Sequence, residues 1–193
     1  LYGGRHPGQL LGSLKRLEAD ANEICVKLVG PIDEGVYSGH GKQLEEMRDL
    51  NLLHFGNCLV PREEALRETA AADYLLLLDV NEKNVAFQVP SKLLDYIRIG
   101  KPILAYTSAG SPVESILARS GISYLAIAPD EPEAIADAKL AKFLDLPLET
   151  REPSAWFTEK FSAITQARTV AELLEGALDD ARKKKGAKSS SGL

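Results

Sequence analysis

The chain has 193 residues, 45% apolar and 26% charged, which suits one globular domain with a real core and room for an added helix. A formal net charge of −5 argues against a broad basic face for nucleic acid, and no apolar run reaches the ~18 residues of a membrane-spanning helix. Cys25 and Cys58 lack CxxC spacing, so they make no cysteine metal site; they are expected to be reduced thiols of a cytoplasmic protein, with no signal peptide visible.

Leu1–Gly3 is expected to end a first strand and Gly3-Gly4 to form a tight loop, so the chain reads as a fragment opening inside a strand–loop–helix unit. Pro7 suits the first turn of a helix that carries Leu10, Leu11, Leu14 and Leu17 at helical spacing. Ile24 to Gly30 is a second, buried strand ended by Gly-Pro. The glycines of Asp33 to Gly41 predict a loop, followed by a short helix over Gln43 to Leu50. Leu52 to Phe55 is a third strand, and Pro61 opens a helix with Glu63 and Glu64 at the positive end of its dipole.

Tyr74 to Leu78 is apolar on both faces, as a central parallel strand requires. The spacing then predicts a helix over Ser91 to Ile99, a stop at Gly100 and a buried strand over Pro102 to Tyr106. Ser111 to Glu114 and Asp130 to Glu133 match capping boxes for two further helices, with a sixth strand over Ile122 to Ile127 between them. Ser154 to Arg182 predicts one long helix or two joined ones, and the Ser/Gly-rich end a disordered tail of the kind a cloning vector adds.

Alternating strands and helices predict an α/β fold, a doubly wound parallel sheet of about six strands with a long C-terminal helix. Ligands of such sheets bind beyond the carboxyl ends of the strands, where strand order reverses. That rim would gather Gly3 to His6, the loop near Asp33, Phe55 to Pro61, Asp79 to Asn84 and Ser108 to Ser111.

Several residues there suit an anionic ligand. Gly4 and Arg5 offer backbone amides, a helix start and a guanidinium fork to a phosphate, or else are an ordinary turn beside a surface arginine. Ser108 to Ser111, with Gly110 and Ser111 leading into the helix start at Pro112, offer a second such site, or merely a helix cap. Lys92 and Asp95 lie one helical turn apart, as an ammonium for phosphate and a carboxylate for vicinal hydroxyls, or as a surface pair. His6, His40 and His54 have no metal-ligand spacing. Lys183 to Lys185 read as solvated, with contact to anionic lipid as the alternative.

The stretch VPSKLLDYIRIGKPILAY, Val89 to Tyr106, resembles the P-x-K-L-[FL]-[ED]-Y-x-x-x-G-K-P-[IV]-L segment of group 1 glycosyltransferases of the GT-B fold. LYGGRHPGQLL, FGNCLVPREEAL and AAADYLLLLD resemble flanking segments of their C-terminal domain in order and spacing, from about Leu1 to Arg119. The resemblance implies a Rossmann-like domain over residues 1–153 that binds a nucleotide-diphosphate sugar, a helical segment over 154–185 packing on it and a tail over 186–193. It also implies that Asp95 holds the donor ribose, that Arg5 contacts the diphosphate and assists catalysis, that Leu59 and Val60 line the base, and that Gly110 and Ser111 lie near the donor.

The expected parent is therefore a metal-independent, retaining glycosyltransferase of the hexosyltransferase type, cytoplasmic or peripheral to a membrane. An N-terminal domain of the same chain would hold the acceptor, and this half alone would be inactive. One departure stands out: Phe87 occupies the family's first acidic position, and Asp95, the second, is one methylene shorter than Glu. Phe87 favours the alternative of a non-catalytic nucleotide-binding or interaction module of the same fold; a further alternative is another GT-B enzyme such as a nucleotide-sugar epimerase.

Overall fold

The structure is a computed structural model that describes residues 5, 7–20, 22–56, 58–79 and 88–189, with side chains through residue 178. Two compact units result, Leu1–Pro153 and Ser154–Leu193. The first contains α1 (Gly8–Arg16), β1 (Val26–Leu28), α2 (Glu34–Asp49), β2 (Leu53–Phe55), α3 (Arg62–Ala71), β3 (Leu75–Leu78), α4 (Ser91–Ile99), β4 (Ile103–Tyr106), α5 (Pro112–Ser120), β5 (Tyr124–Ile127) and α6 (Glu133–Leu144). The second contains α7 (Ala155–Lys160) and α8 (Ala163–Ser189).

Most boundaries follow local chemistry. α4 places Leu93 and Ile97, both fully buried, one turn apart, and Gly100 ends it in the left-handed region at φ 84°. Ser111 caps α5 by accepting from the Glu114 amide at 3.1 Å.

Two expectations fail locally. Residues 34–41 are helical rather than a loop, because Asp33 caps α2 through the Gly35 amide and Val36, Leu44 and Met47 share one buried face. Packing of that face outweighs the low helix propensity of its glycines. Asp130 does not cap α6, which starts later, after Pro132 and without a side-chain cap; Glu131 instead accepts from the Ala128 amide and pairs with Lys139.

The expected single sheet of about six strands is also corrected. Among the described residues there are two parallel sheets, β1-β2 and β3-β4-β5. The strand expected at Leu1–Gly3 lies outside the described residues. Both sheets share one core, in which Leu10, Leu11 and Leu14 of α1 meet Leu44 of α2, Leu53, Leu78, Leu104, Ile127 and Phe143 of α6. Leu75, Leu77, Ile103 and Ala105 are buried as well but lie outside that cluster, with Leu93 and Ile97 of α4 and Val113 and Leu117 of α5. The strands of the three-stranded sheet are thus apolar on both faces, with the α1, α2 and α6 side on one and α4 and α5 on the other, whereas Lys27 and His54 leave the second face of β1 and β2 polar and exposed. Among buried polar atoms the Tyr106 hydroxyl finds no partner, and burial pushes its pKa well above the usual tyrosine range.

In the second unit Ser154 caps α7 through the Phe157 amide, and the Phe157 and Phe161 rings pack 5.0 Å apart. Ile164, Val170, Leu173, Leu174 and Leu178 of α8 are exposed. No helix among the described residues is long and apolar enough to cross a membrane.

Candidate functional site

Chain order fixes where a site can form. The chain runs from β1 to β2 away from the rest of the fold, then crosses back through α3 to β3 and continues outward through β4 to β5. Strand order therefore reverses between β1 and β3, and these two strands line opposite walls of a cavity of about 680 Å³. At the carboxyl ends of the strands its lining includes Arg5, Gly30, Arg62, Lys92, Asp95 and Tyr96.

Local structure explains each placement. Gly30 takes φ 105°, letting the chain leave β1 sharply. Arg62 is the first residue of α3, which follows Pro61 and has no side-chain cap. Lys92 and Asp95 belong to the first turns of α4, which follows Pro90 and also lacks one. Two helix starts with uncapped amides thus border the cavity beside three cationic side chains, an arrangement that favours an anion.

Electrostatics agree with that geometry. Desolvation, and then the positive field of Arg5, hold the Lys92 ammonium below the usual lysine pKa, although the residue as a whole is exposed. Two cations repelling one another in a partly dry site gain when a phosphate arrives. Asp95 supplies the opposite chemistry. Its carboxylate is 3.5 Å from Arg98 and 3.7 Å from Arg62, both long contacts, with 34% of the side chain exposed. Such pairs contribute little by themselves and leave acceptor positions open to hydroxyl donors.

The other predicted residues are placed differently. Gly110 and Ser111 are not in the cavity lining. The Gly110 amide donates to Glu114 Oε2 at 2.6 Å, and the Ser111 hydroxyl caps α5 and lies 2.8 Å from Thr107 Oγ1. Thr107, itself buried, donates to Asp79 at the end of β3. An anion approaching this turn would have to displace the Glu114 carboxylate. Leu59, 86% exposed, and Val60 lie in the β2–α3 loop outside the cavity lining. Gly4 and Phe87 lie outside the described residues.

The chain matches no family model and no curated protein by sequence. A solved structure is similar: that of HepE from Anabaena, in complex with UDP-glucose. The likeness covers 91% of this chain at a TM-score of 0.60 and 15% identity. At that identity the likeness is one of fold. The chain spans 46% of the HepE chain, so it corresponds in fold to about half of that protein.

Arg62 and Tyr96 belong to the cavity and were not singled out by sequence. The signal for Arg62 was present, since it directly follows the proline that opens a rim helix. Among the described residues no group of three or more His, Cys, Asp or Glu side chains is disposed to hold a metal ion.

Proposed function

We propose that the chain is the nucleotide-sugar-binding half of a group 1 glycosyltransferase of the GT-B type. The observation that carries this reading is the convergence of Arg5, Arg62 and Lys92 with Asp95 on one cavity, where strand order reverses, in a fold similar to that of a UDP-glucose complex. In this reading the diphosphate lies against Arg5, Lys92 and the Gly4 amide, and Asp95 accepts from the ribose hydroxyls. The base occupies the Leu59–Val60 loop, and the sugar extends toward Gly110 and Ser111.

As the glycosidic bond to the diphosphate breaks, negative charge grows on the leaving oxygen. Arg5, positioned beforehand, stabilises that charge, and this is the electrostatic form of catalysis. The acceptor is held by a domain outside this chain, and transfer proceeds with retention and without a metal. Phe87 supports a second reading, a module that binds nucleotide without turnover.

Calorimetric titration with UDP, GDP and dTDP tests the proposal, with uridine as the control lacking phosphate. One of the diphosphates should bind, uridine should bind far more weakly, and Asp95→Ala should lower the diphosphate affinity about tenfold, the worth of a hydrogen bond to a charged group. Absence of binding by all three at millimolar concentration removes the proposal.

A further inference from the structure

α8 turns an ordered apolar stripe to water. Ile164, Val170, Leu173, Leu174 and Leu178 are each between 54% and 73% exposed, and the residues from Gln166 to Leu178 are all exposed. These positions are not scattered. Ile164, Ala167, Ala171, Leu174 and Leu178 follow one another at steps of three and four, and the sequence carries the step on to Ala181. Val170, Leu173 and Ala177 widen the stripe along one edge. Arg168 and Glu175 follow the other edge, and Thr169, Glu172 and Gly176 lie on the far side. An amphipathic helix draws most of its stability from packing of its apolar face, so a stripe of this length calls for a cover.

The order of residues along the stripe says which cover fits. When α8 is laid antiparallel on a second α8, about a two-fold axis between Ala171 and Leu174, Ala171 falls opposite the second copy's Leu174 and Ala167 opposite its Leu178. The symmetry repeats both layers in reverse. Every layer then joins one large side chain to one small one, which lets the helices approach closely and leaves no void. A parallel pair would oppose leucine to leucine and alanine to alanine, alternating crowded layers with empty ones. Charge obeys the same reversal. Arg168 falls beside the second copy's Glu175, and Glu175 beside its Arg168, giving two ion pairs along one flank of the seam. In a parallel pair the flanking contacts join opposite edges of the two helices, so these charges would meet the edge of Val170 and Ala177 instead. Size and charge that match under one two-fold rotation are the requirements of a self-complementary contact.

We propose that the apolar stripe of α8 docks on the same stripe of a second copy of this chain, as an antiparallel two-helix seam centred between Ala171 and Leu174. The contact is small. Its five large apolar side chains withdraw on the order of 500 Å² from each copy, a total that just reaches the ~1,000 Å² of a specific interface. The dimer is accordingly weak and exchanges with monomer at a dissociation constant on the order of tens of micromolar. Glu172 and Glu175 disfavour the other common cover for such a stripe, an anionic lipid surface, which selects helices with lysine and arginine beside the apolar face.

Analytical ultracentrifugation of the full chain between about 1 and about 200 μM tests the seam, and the chain should pass from monomer to dimer across that range. Leu174→Asp puts a carboxylate into both central layers and should stay monomeric throughout. Arg168→Glu and Glu175→Arg each turn both ion pairs into like-charge contacts, and each should weaken the dimer about tenfold. Mixed in equal amounts, these two variants regain opposite charges at both contacts, so the mixture should dimerise about as tightly as the unaltered chain. A monomer at the highest concentration overturns the proposal, and so does a dimer that survives Leu174→Asp. A mixture no tighter than its two components also overturns it, because the antiparallel seam is what joins Arg168 to Glu175. At concentrations where the unaltered chain is monomeric, a lower urea midpoint of the first unit in Leu174→Asp assigns the stripe to its own chain. Binding of the unaltered chain to vesicles of phosphatidylglycerol and phosphatidylcholine, abolished by Leu174→Asp, assigns it to a membrane. Either result overturns the proposal.

Discussion

Gly100→Ala is expected to destabilise the first unit by about 3 kcal/mol or more, seen as a lower denaturation midpoint in urea. Two costs add. The residue sits at φ 84°, where a side chain costs about 1–2 kcal/mol. A Cβ there would also lie 2.2 Å from the backbone oxygen of Arg151 and 3.1 Å from Thr150 Cγ2. Retreat is hindered because the Arg151 amide donates to the Gly100 oxygen at 2.8 Å, tying the two segments together. Gly110→Ala provides the contrast. It has φ 72° but nothing within 4 Å of the added carbon, so only the conformational cost of about 1 kcal/mol applies. Equal losses at the two sites would show that Gly100 is held by torsion alone.

The second large effect concerns the charge on Lys92. Removing Arg5 and Lys92 together, as the Ala variants, should weaken diphosphate binding by at least about 100-fold, since each charge-assisted contact contributes on the order of 1.5–3 kcal/mol. The pH dependence follows from the sign of the shift. Desolvation and Arg5 lower the pKa of Lys92, so the free protein loses that proton below the ordinary lysine value. A bound diphosphate favours the ammonium and raises the pKa again. Affinity is therefore fully present at neutral pH and falls as pH climbs through the free protein's depressed value, with proton uptake on binding over that window. A flat affinity profile between neutral pH and the ordinary lysine range would remove Lys92 from the phosphate site.

The stretch from Val89 to Tyr106 was legible because its signals are local. An apolar stripe at helical spacing, a glycine stop and a short apolar run predict α4, Gly100 and β4, and the observed bounds of α4 agree residue for residue. The start of α2 was not legible, since glycines that suggest a loop were outvoted by Val36 and Leu44 burying against other elements. Which strands pair is settled by contacts distant in sequence, so periodicity gave five of the strands but not the break between β1 and β3.

The place of Lys92 and Asp95 at a helix start was readable, but spacing alone left them as a surface pair, and it was the resemblance to the glycosyltransferase segment that singled out Asp95. Arg62 carried the same helix-start signal, and only its relation to Asp95, which depends on α3 meeting α4 in space, was hidden. The capping pattern at Ser111 was equally visible, but pattern alone does not reveal that Glu114 already holds the Gly110 amide.

The break between β1 and β3 also bears on how the domain opens. β1, α2 and β2 are contiguous in sequence, as are β3 through β5 with α4 and α5, so each half forms its strand pairs over short chain separations. Among the described residues the halves communicate through α1, α6 and the shared apolar cluster rather than through a continuous ladder. Opening therefore divides into two cooperative units, with the two-stranded half the less protected. Native-state hydrogen exchange against denaturant should resolve two isotherms, one carried by the amides of β1 and β2 and a higher one by those of β4; a single merged isotherm would mean that the helix layer alone locks the halves together.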